Sequence, residues 1–370
     1  MQPVMQMIAN DPALQLLIDR VKTAAAAGAQ LCIRGGGTKE FYGEPPQGEL
    51  LDTRVLEGIS SYEPTELVVT ARCGTSLAEL EAVLAEKGQC LPFEPPHFAE
   101  GSTVGGMVAA GLAGPSRAAV GAVRDHLLGA TLLNGRGEVL TFGGQVMKNV
   151  AGYDVSRLLA GSLGTLGVIL EVSMKVMPAA TATQTVRMEM DEAVALAQLN
   201  TWGGQPLPLN ASAWWDGNLI VRLRGALAAV EAARVRIGGD VVEEPHAAPF
   251  WSGLRNQTDD YFARAQVAVE AGASLWRLSV PQTAKPLSLE GELLIEWGGA
   301  QRWLCSHQPA SLVRDIAARA GGHATLFRAT NKEPGVFAPL QSPLDRIHRE
   351  LKKSFDPQGV FNPGRLYPGL

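Results

Sequence analysis

Three dense glycine constellations within the first 178 of 370 residues constrain this chain more than any other feature. The first is Arg34-Gly35-Gly36-Gly37-Thr38-Lys39, directly after the short apolar run Gln30 to Ile33. The second, Gly101-Ser102-Thr103-Val104-Gly105-Gly106, opens a stretch of tiny residues reaching Gly111 and Gly114. The third begins at Lys148, Asn149, Gly152, Tyr153 and Asp154 and ends in Gly161, Gly164, Thr165, Gly167, Val168 and Ile169. Glycine has no Cβ and costs backbone entropy, so each cluster marks a tight turn or a close approach of the main chain to something else. Each one alone reads equally as a turn-rich connector. Consecutive glycines after a strand also let backbone N–H groups converge on an anion, and a helix N-terminus offers unpaired N–H groups to phosphate. Taken together, the three suit one extended ligand held along its length.

The familiar phosphate loops do not fit. In Arg34 to Lys39 threonine precedes lysine, against the Walker order, and position 40 carries no glycine to complete a Rossmann fingerprint. Composition excludes other classes. A net charge of −5 leaves no footprint for nucleic acid, and no Lys/Arg run suggests an anionic membrane surface. Four dispersed cysteines with no Cys-x-x-Cys pair argue against an iron–sulfur or zinc site and fit a reducing compartment. Met1 to Asn10 shows no basic region followed by an apolar one, and no apolar run reaches bilayer length, so the expectation is a cytoplasmic protein without a membrane span.

Patterning supplies the elements. Asp11-Pro12 caps an amphipathic helix ended by Gly28, and Leu67 to Cys73 reads as a buried strand. Ser76 and Glu79 begin a helix stopped by Gly88, with a further extended segment at Leu91 to Pro96. Asn134-Gly135 turns a hairpin between Ala130–Leu133 and Glu138–Phe142. Beyond Pro178 the glycine loops stop, and a β-α-β-β-α-β order between Thr183 and Glu244 partly recurs between Leu275 and Phe327. Antiparallel strands with helices on one face are expected there. A helical piece from Pro249 to Ala268 links the two sets, and its aromatics suit a core or a subunit contact. Near the end, Leu344, Ile347, Leu351 and Phe355 share one helix face.

The four glycine-bearing segments, in this order and spacing, resemble the FAD-binding domain of the vanillyl-alcohol oxidase/p-cresol methylhydroxylase (PCMH-type) class. The ending Phe355-Asp356-Pro357-Gln358-Gly359-Val360-Phe361-Asn362-Pro363-Gly364-Arg365 is similar to that of flavoproteins oxidising 2-hydroxy acids. With Gly322 to Arg328 and the short second half, the chain looks most like the FAD-binding E-subunit family of bacterial glycolate oxidases. The resemblance implies an α+β fold: a two-subdomain PCMH-type domain (1–178), a ferredoxin-like antiparallel cap (179–340) and a tail (341–370) returning to the first domain. It implies that Gly35 to Lys39 wrap the pyrophosphate and that the other two constellations line the rest of the dinucleotide. Arg34, Pro92, Gly111, Arg124, Asp125 and Asn362 complete the implied cofactor-binding set.

Many relatives attach the flavin to a histidine in the first loop. Thr38 stands there, and Gly101 to Gly106 hold no cysteine, so non-covalent FAD is implied. Catalytic relatives carry a His-Gly-Asp-Gly-Asn-x-His type cap motif. No two of the six histidines here have ligand spacing, so neither a metal site nor a catalytic residue is assigned. His323 reads as structural, and Arg222, Arg224 and Arg328 suit either a substrate carboxylate or solvated strand positions. The implied role is one subunit of a complex oxidising glycolate to glyoxylate. Its partners would be a homologous FAD-containing catalytic subunit and an iron–sulfur subunit passing electrons towards quinone, and any contact with the inner membrane face would run through them. A self-sufficient FAD oxidase or dehydrogenase of a small hydroxy acid or alcohol, and a non-catalytic assembly subunit, are the alternatives.

Overall fold

A computed structural model describes residues 11–144 and 153–370. The chain begins on a helix, Pro12–Ala27. Asp11 caps it by accepting from the N–H groups of Ala13 and Leu14, both at 3.1 Å, and Gly28 ends it in the left-handed region at φ +65°. Leu14, Leu17, Ile18 and Val21 form its buried stripe. Each side chain so buried contributes about 1.5–3 kcal/mol. Strands β1 (Leu31–Arg34) and β2 (Glu49–Asp52) follow and pair in parallel, Leu31 opposite Glu49.

The second subdomain is a five-stranded sheet. Its strands are β3 (Ile59–Glu63), β4 (Val68–Arg72), β6 (Leu127–Leu133), β7 (Val139–Gly143) and β8 (Val168–Lys175), ordered β3-β4-β8-β6-β7 with every pairing antiparallel. The third glycine constellation therefore feeds straight into the central strand. Between β4 and β6, helix Leu77–Glu86 starts at Ser76, and strand β5 covers only Gln89–Cys90. The extended segment expected over Leu91 to Pro96 is a turn. Three prolines remove the N–H groups a strand would need, and Glu94 takes a left-handed φ of +48°.

β9 (Met177–Pro178) leads into the cap, an eight-stranded antiparallel sheet. Its first unit is β10 (Ala182–Glu189), helix Glu192–Gly203, β11 (Leu209–Trp215), β12 (Asn218–Gly225), helix Leu227–Ile237 and β13 (Asp240–Val242). Its second is β14 (Ser274–Ser279), β15 (Glu292–Glu296), β16 (Gln301–Ser306), helix Ala310–Arg319 and β17 (His323–Ala329). The order β13-β10-β12-β11-β15-β16-β14-β17 shows two ferredoxin-like units joined through their second strands, β11 and β15. The second unit lacks the first helix of its counterpart. In its place the extended stretch 280–291 is fastened by the buried Arg302, which donates to the carbonyls of Ala284 (2.6 Å) and Lys285 (2.9 Å).

The helical piece expected over Pro249 to Ala268 is longer and broken in the structure. It is two helices, Glu244–Asn256 and Asp260–Glu270. The first contains Pro249 inside it and ends at Gln257 in the left-handed region, and Asp259 caps the second by accepting from Tyr261 and Phe262. Trp251, Tyr261 and Phe262 pack with Leu275, Trp303 and Phe327 of the cap sheet and with Tyr42 and Leu163 of the first domain. They are core. In the final helix, Leu344–Phe355, Leu351 and Phe355 pack on the first domain's core, whereas Leu344 and Ile347 are exposed.

Candidate functional site: a glycine-lined cleft

The described parts of the three constellations meet. A Cβ on Gly36 would overlap the carbonyl of Gly101, and one on Gly35 would overlap the Thr103 hydroxyl, so the first and second loops touch through their backbones. The helix of small residues is Val104–Ala110, capped by Thr103. Its carbonyls at Val108 and Ala109 accept from the N–H groups of Gly161 (3.0 Å) and Leu163 (2.9 Å), which brings in the third segment. A Cβ on Gly111 would stand 2.7 Å from the nitrogen of Gly161. These glycines permit three main-chain segments to pack at backbone distance.

Two adjoining cavities open along this seam. One is lined by Arg34 to Lys39 with Thr103, Gly106 and Ala109. The other is lined by Gly105, Gly106, Gly164, Gly167 and Ile169, and Ile33, Gly35, Leu163 and Asn362 border both. Inside the first, Lys39 donates to Ser102 Oγ at 2.7 Å and to Thr38 Oγ1 at 3.2 Å. Among the described residues it has no carboxylate partner. Burial, with Arg255 nearby, pushes its ammonium down to about 8. A half-buried cation held by two hydroxyls and the Phe98 ring, with no carboxylate among the described residues, suits an anionic ligand, so the residues present fit a pyrophosphate. Arg34 steadies the loop by pairing with Glu40 at 2.7 Å.

Asn362 closes the cleft from behind. Its Oδ1 accepts from the Ile33 N–H at 2.7 Å, and its Nδ2 donates to the Leu163 carbonyl at 2.6 Å. The returning tail is locked by a buried pair, Lys352–Asp356 at 2.6 Å, and Lys352 also donates to the carbonyls of Thr165 and Phe361. Sequence reading saw only an apolar stripe on that helix. The i,i+4 spacing of the two charges was the available signal.

Other residues implied by the resemblance lie apart from the cavities. Pro92 is buried and accepts from Ser116 Oγ. Arg124 and Asp125 are exposed on a short helical turn, where Asp125 caps the Ala122 N–H. Tyr153 is 94% exposed, Asp154 pairs with Arg157, and Val168 and Thr165 are buried in or before β8. Lys148, Asn149 and Gly152 lie outside the described residues.

Arg222 is buried and Arg224 half-exposed, and neither is free. The carboxylate of Glu94 accepts from Arg222 through both oxygens at 2.7 Å and from Arg224 at 3.2 Å. Burial works against the ionised Glu94, but the two guanidiniums outweigh it and hold the carboxyl below its ordinary range. Arg255 pairs with Glu81 and donates to the Pro95 carbonyl, and Asn256 accepts from the His97 N–H. This charged seam latches cap to cleft domain. Sequence reading missed Glu94 because its partners are 128 and 130 positions away.

Arg328 and Arg277 differ. Arg328 lies 3.5 Å over the Phe41 ring and donates to Gln257, and burial pushes its guanidinium down to about 10. Arg277 donates to the Tyr42 hydroxyl at 2.9 Å. Neither meets a carboxylate among the described residues. His323 is exposed at the start of β17.

Comparison with known proteins agrees with this geometry. Residues 14–143 match the family described as FAD binding domain. The chain is 47% identical, over 96% of its length and 98% of the relative's, to glycolate oxidase subunit GlcE of Escherichia coli. It is 29% identical to a mitochondrial D-lactate dehydrogenase (cytochrome) of Arabidopsis thaliana over 38% of this chain and 25% of that one. Alkyldihydroxyacetonephosphate synthase shares the fold, with a TM-score of 0.63 at 16% identity over 94% of this chain and 75% of that one. Cleft, half-buried lysine and domain match define an FAD-dependent oxidoreductase of the PCMH-type fold. The chain belongs to the glycolate oxidase subunit GlcE family. No helix among the described residues is long and apolar enough to cross a membrane.

Proposed function

We propose that this chain is the FAD-binding subunit of a complex that oxidises glycolate to glyoxylate. Its FAD is non-covalent, and its partners are a homologous flavoprotein and an iron–sulfur subunit leading to an acceptor such as quinone. One observation carries the reading most: a cleft lined by backbone and a half-buried ammonium without a carboxylate partner among the described residues, in a chain aligned almost end to end with a glycolate oxidase subunit. FAD, when bound, accepts the electrons of a C–H oxidation. The chain's residues would cradle it: Gly35 to Gly37 present N–H groups, Lys39 neutralises phosphate charge, and the 161–169 segment offers backbone to the rest. Asn362 keeps the walls together. Thr38, where covalent relatives place a histidine, leaves the loop without a nucleophile for the flavin.

A second reading, a self-sufficient hydroxy-acid dehydrogenase, is favoured by Arg277 and Arg328. Both stand on cap strands facing Phe41 and Tyr42 with no carboxylate partner among the described residues, as a substrate carboxylate would require. The test is to purify the chain alone and with its co-purifying partners, recording flavin content and glycolate-dependent dye reduction for each. Reduction only in the complex supports the first reading, and reduction by the isolated chain supports the second. A chain without flavin in either preparation overturns both.

A further inference from the structure

A cavity of about 310 Å3 lies between the cap and the short first-domain helix Arg117–Val120, whose Ala118 and Ala119 line it, away from the glycine cleft. It owes its existence to the asymmetry between the two ferredoxin-like units. At the β11–β15 seam, helix Glu192–Gly203 of the first unit faces no counterpart helix. It faces the extended stretch beginning near Gln282, whose carbonyl accepts from Asn200 at 3.0 Å. Helix flank, strand end and the Trp297–Gly299 turn leave the space between them.

The lining gives the chemistry. No charged side chain lines the cavity among the described residues; Leu199, Trp202, Leu207 and Val221 form an apolar wall, and uncharged amides and a hydroxyl supply about as much polar surface. A charged ligand would lose its hydration without compensation there. Two polar groups are aimed in without acceptors. Asn210 sits at the bulge between Leu209 and Ala211 and is only 9% exposed. A bulge re-aims its side chain away from the regular alternation. Its Oδ1 accepts from Arg222 Nε at 2.6 Å, which fixes the amide orientation and leaves Nδ2 with no acceptor among the described residues. Ser212, 6% exposed, accepts from the Gly298 N–H at 2.9 Å, and its own hydroxyl proton also has no acceptor among them. Two donors without acceptors beside that apolar wall ask for one kind of group: an uncharged oxygen acceptor on an apolar body.

We propose that this cavity is a binding site for an uncharged aromatic ligand bearing a carbonyl oxygen, which accepts from Asn210 Nδ2 and the Ser212 hydroxyl. The site is wired to the cleft domain at two points. Asn210 holds Arg222, whose other nitrogen grips Glu94, and Trp297 on the cavity wall donates its indole N–H to the Gly114 carbonyl at 3.0 Å. Trp297 has a left-handed φ of +54°, a conformation a bulky residue keeps only when its surroundings impose it. A ligand in the cavity therefore presses on the contacts that seat the cap.

The test uses three probes with one ring system, titrated calorimetrically into the full-length flavin-bearing chain. They are 2-acetonaphthone, 2-ethylnaphthalene, which lacks the carbonyl, and 2-naphthoate, which carries a charge. The ketone is expected to bind at one site per chain, about tenfold more tightly than the hydrocarbon, as one satisfied buried donor warrants, with the carboxylate weakest. Asn210→Asp keeps the acceptor for Arg222 and replaces the inward donor by an oxygen, so it should abolish the ketone's advantage while the unfolding midpoint stays within a few degrees. Gly203→Phe lines the mouth, where an added Cβ meets nothing within 4 Å, and should block all three probes. Absence of saturable ketone binding overturns the proposal, as does equal binding of ketone and hydrocarbon or binding that both variants leave unchanged.

Discussion

Asn362 donates to the carbonyl of Leu163 across 199 positions of sequence, at 2.6 Å, and both residues hold left-handed backbone angles, φ +41° and +50°. The second amide atom of Asn362 accepts from Ile33, so one side chain joins the strand before the first glycine loop to the segment before β8. The cleft's width is thus set by a residue from the far end of the chain.

Asn362→Leu should leave the Ile33 N–H and the Leu163 carbonyl buried without partners. Each such group costs ~1–3 kcal/mol, so an unfolding loss of about 2–5 kcal/mol is expected, together with loss of flavin on gel filtration. Asn362→Asp keeps the bond from Ile33 and sets oxygen against oxygen at Leu163, so it should fall between wild type and the leucine variant in denaturant unfolding.

Lys39 makes cofactor binding depend on pH. Its folded value without a phosphate partner is about 8, and a bound pyrophosphate would raise it, so binding takes up a proton once the pH passes that value. FAD dissociation constants should therefore weaken as pH rises above about 8. Lys39→Met should bind more weakly below that pH and lose this dependence. For the FAD-free chain the linkage runs the other way: a lysine depressed on folding makes the protein more stable as pH climbs from about 8 towards the unfolded value of 10.5.

Glu94→Gln would strip Arg222, 4% exposed at its side chain, of its counter-ion. Breaking one partner of a buried pair costs roughly 3–5 kcal/mol, and a separate, earlier unfolding transition of the cap is expected in calorimetry. Because its folded value is depressed, the ionised Glu94 contributes stability above the unfolded value of 4.5 that is lost as pH falls through the folded one. Acid should loosen the cap before it unfolds the cleft domain.

Glu296 has the opposite sign. It is buried in the cap and accepts from Trp303 Nε1 (2.7 Å) and Gln301 Nε2 (3.0 Å), with no cation in contact among the described residues. Burial pushes it up to about 7, and Asp259 and Glu94 add to the rise. Its raised value means the folded state binds more protons, so stability falls as pH rises from 4.5 through about 7. Glu296→Gln, neutral and able to accept both bonds, should raise the melting temperature at pH 8 and leave it nearly unchanged at pH 5.

Local features of the fold were plain in the sequence, and distant pairings were not. The Asn134-Gly135 hairpin, the Asp11 cap and the run into β8 follow from turn chemistry and period, and each stands where expected. The recurring cap order also held, because each ferredoxin-like unit carries its own alternation. Errors arose where a polar residue acted locally, as at Asp259, whose cap divides the linking helix. Others arose where prolines removed donors, as at Leu91 to Pro96. The glycine cleft was legible because backbone proximity needs glycine. Its latch to the cap was not, since Glu94 acts on partners 128 and 130 positions away, which periodicity cannot reveal.

The flavin-to-protein ratio of the purified chain, read from absorbance and then again in the supernatant after denaturation, tests the central claim most directly. One FAD per chain, all of it released into the supernatant, is the predicted result. A colourless chain, or flavin that stays with the precipitated polypeptide, would contradict a non-covalent FAD site in the glycine cleft.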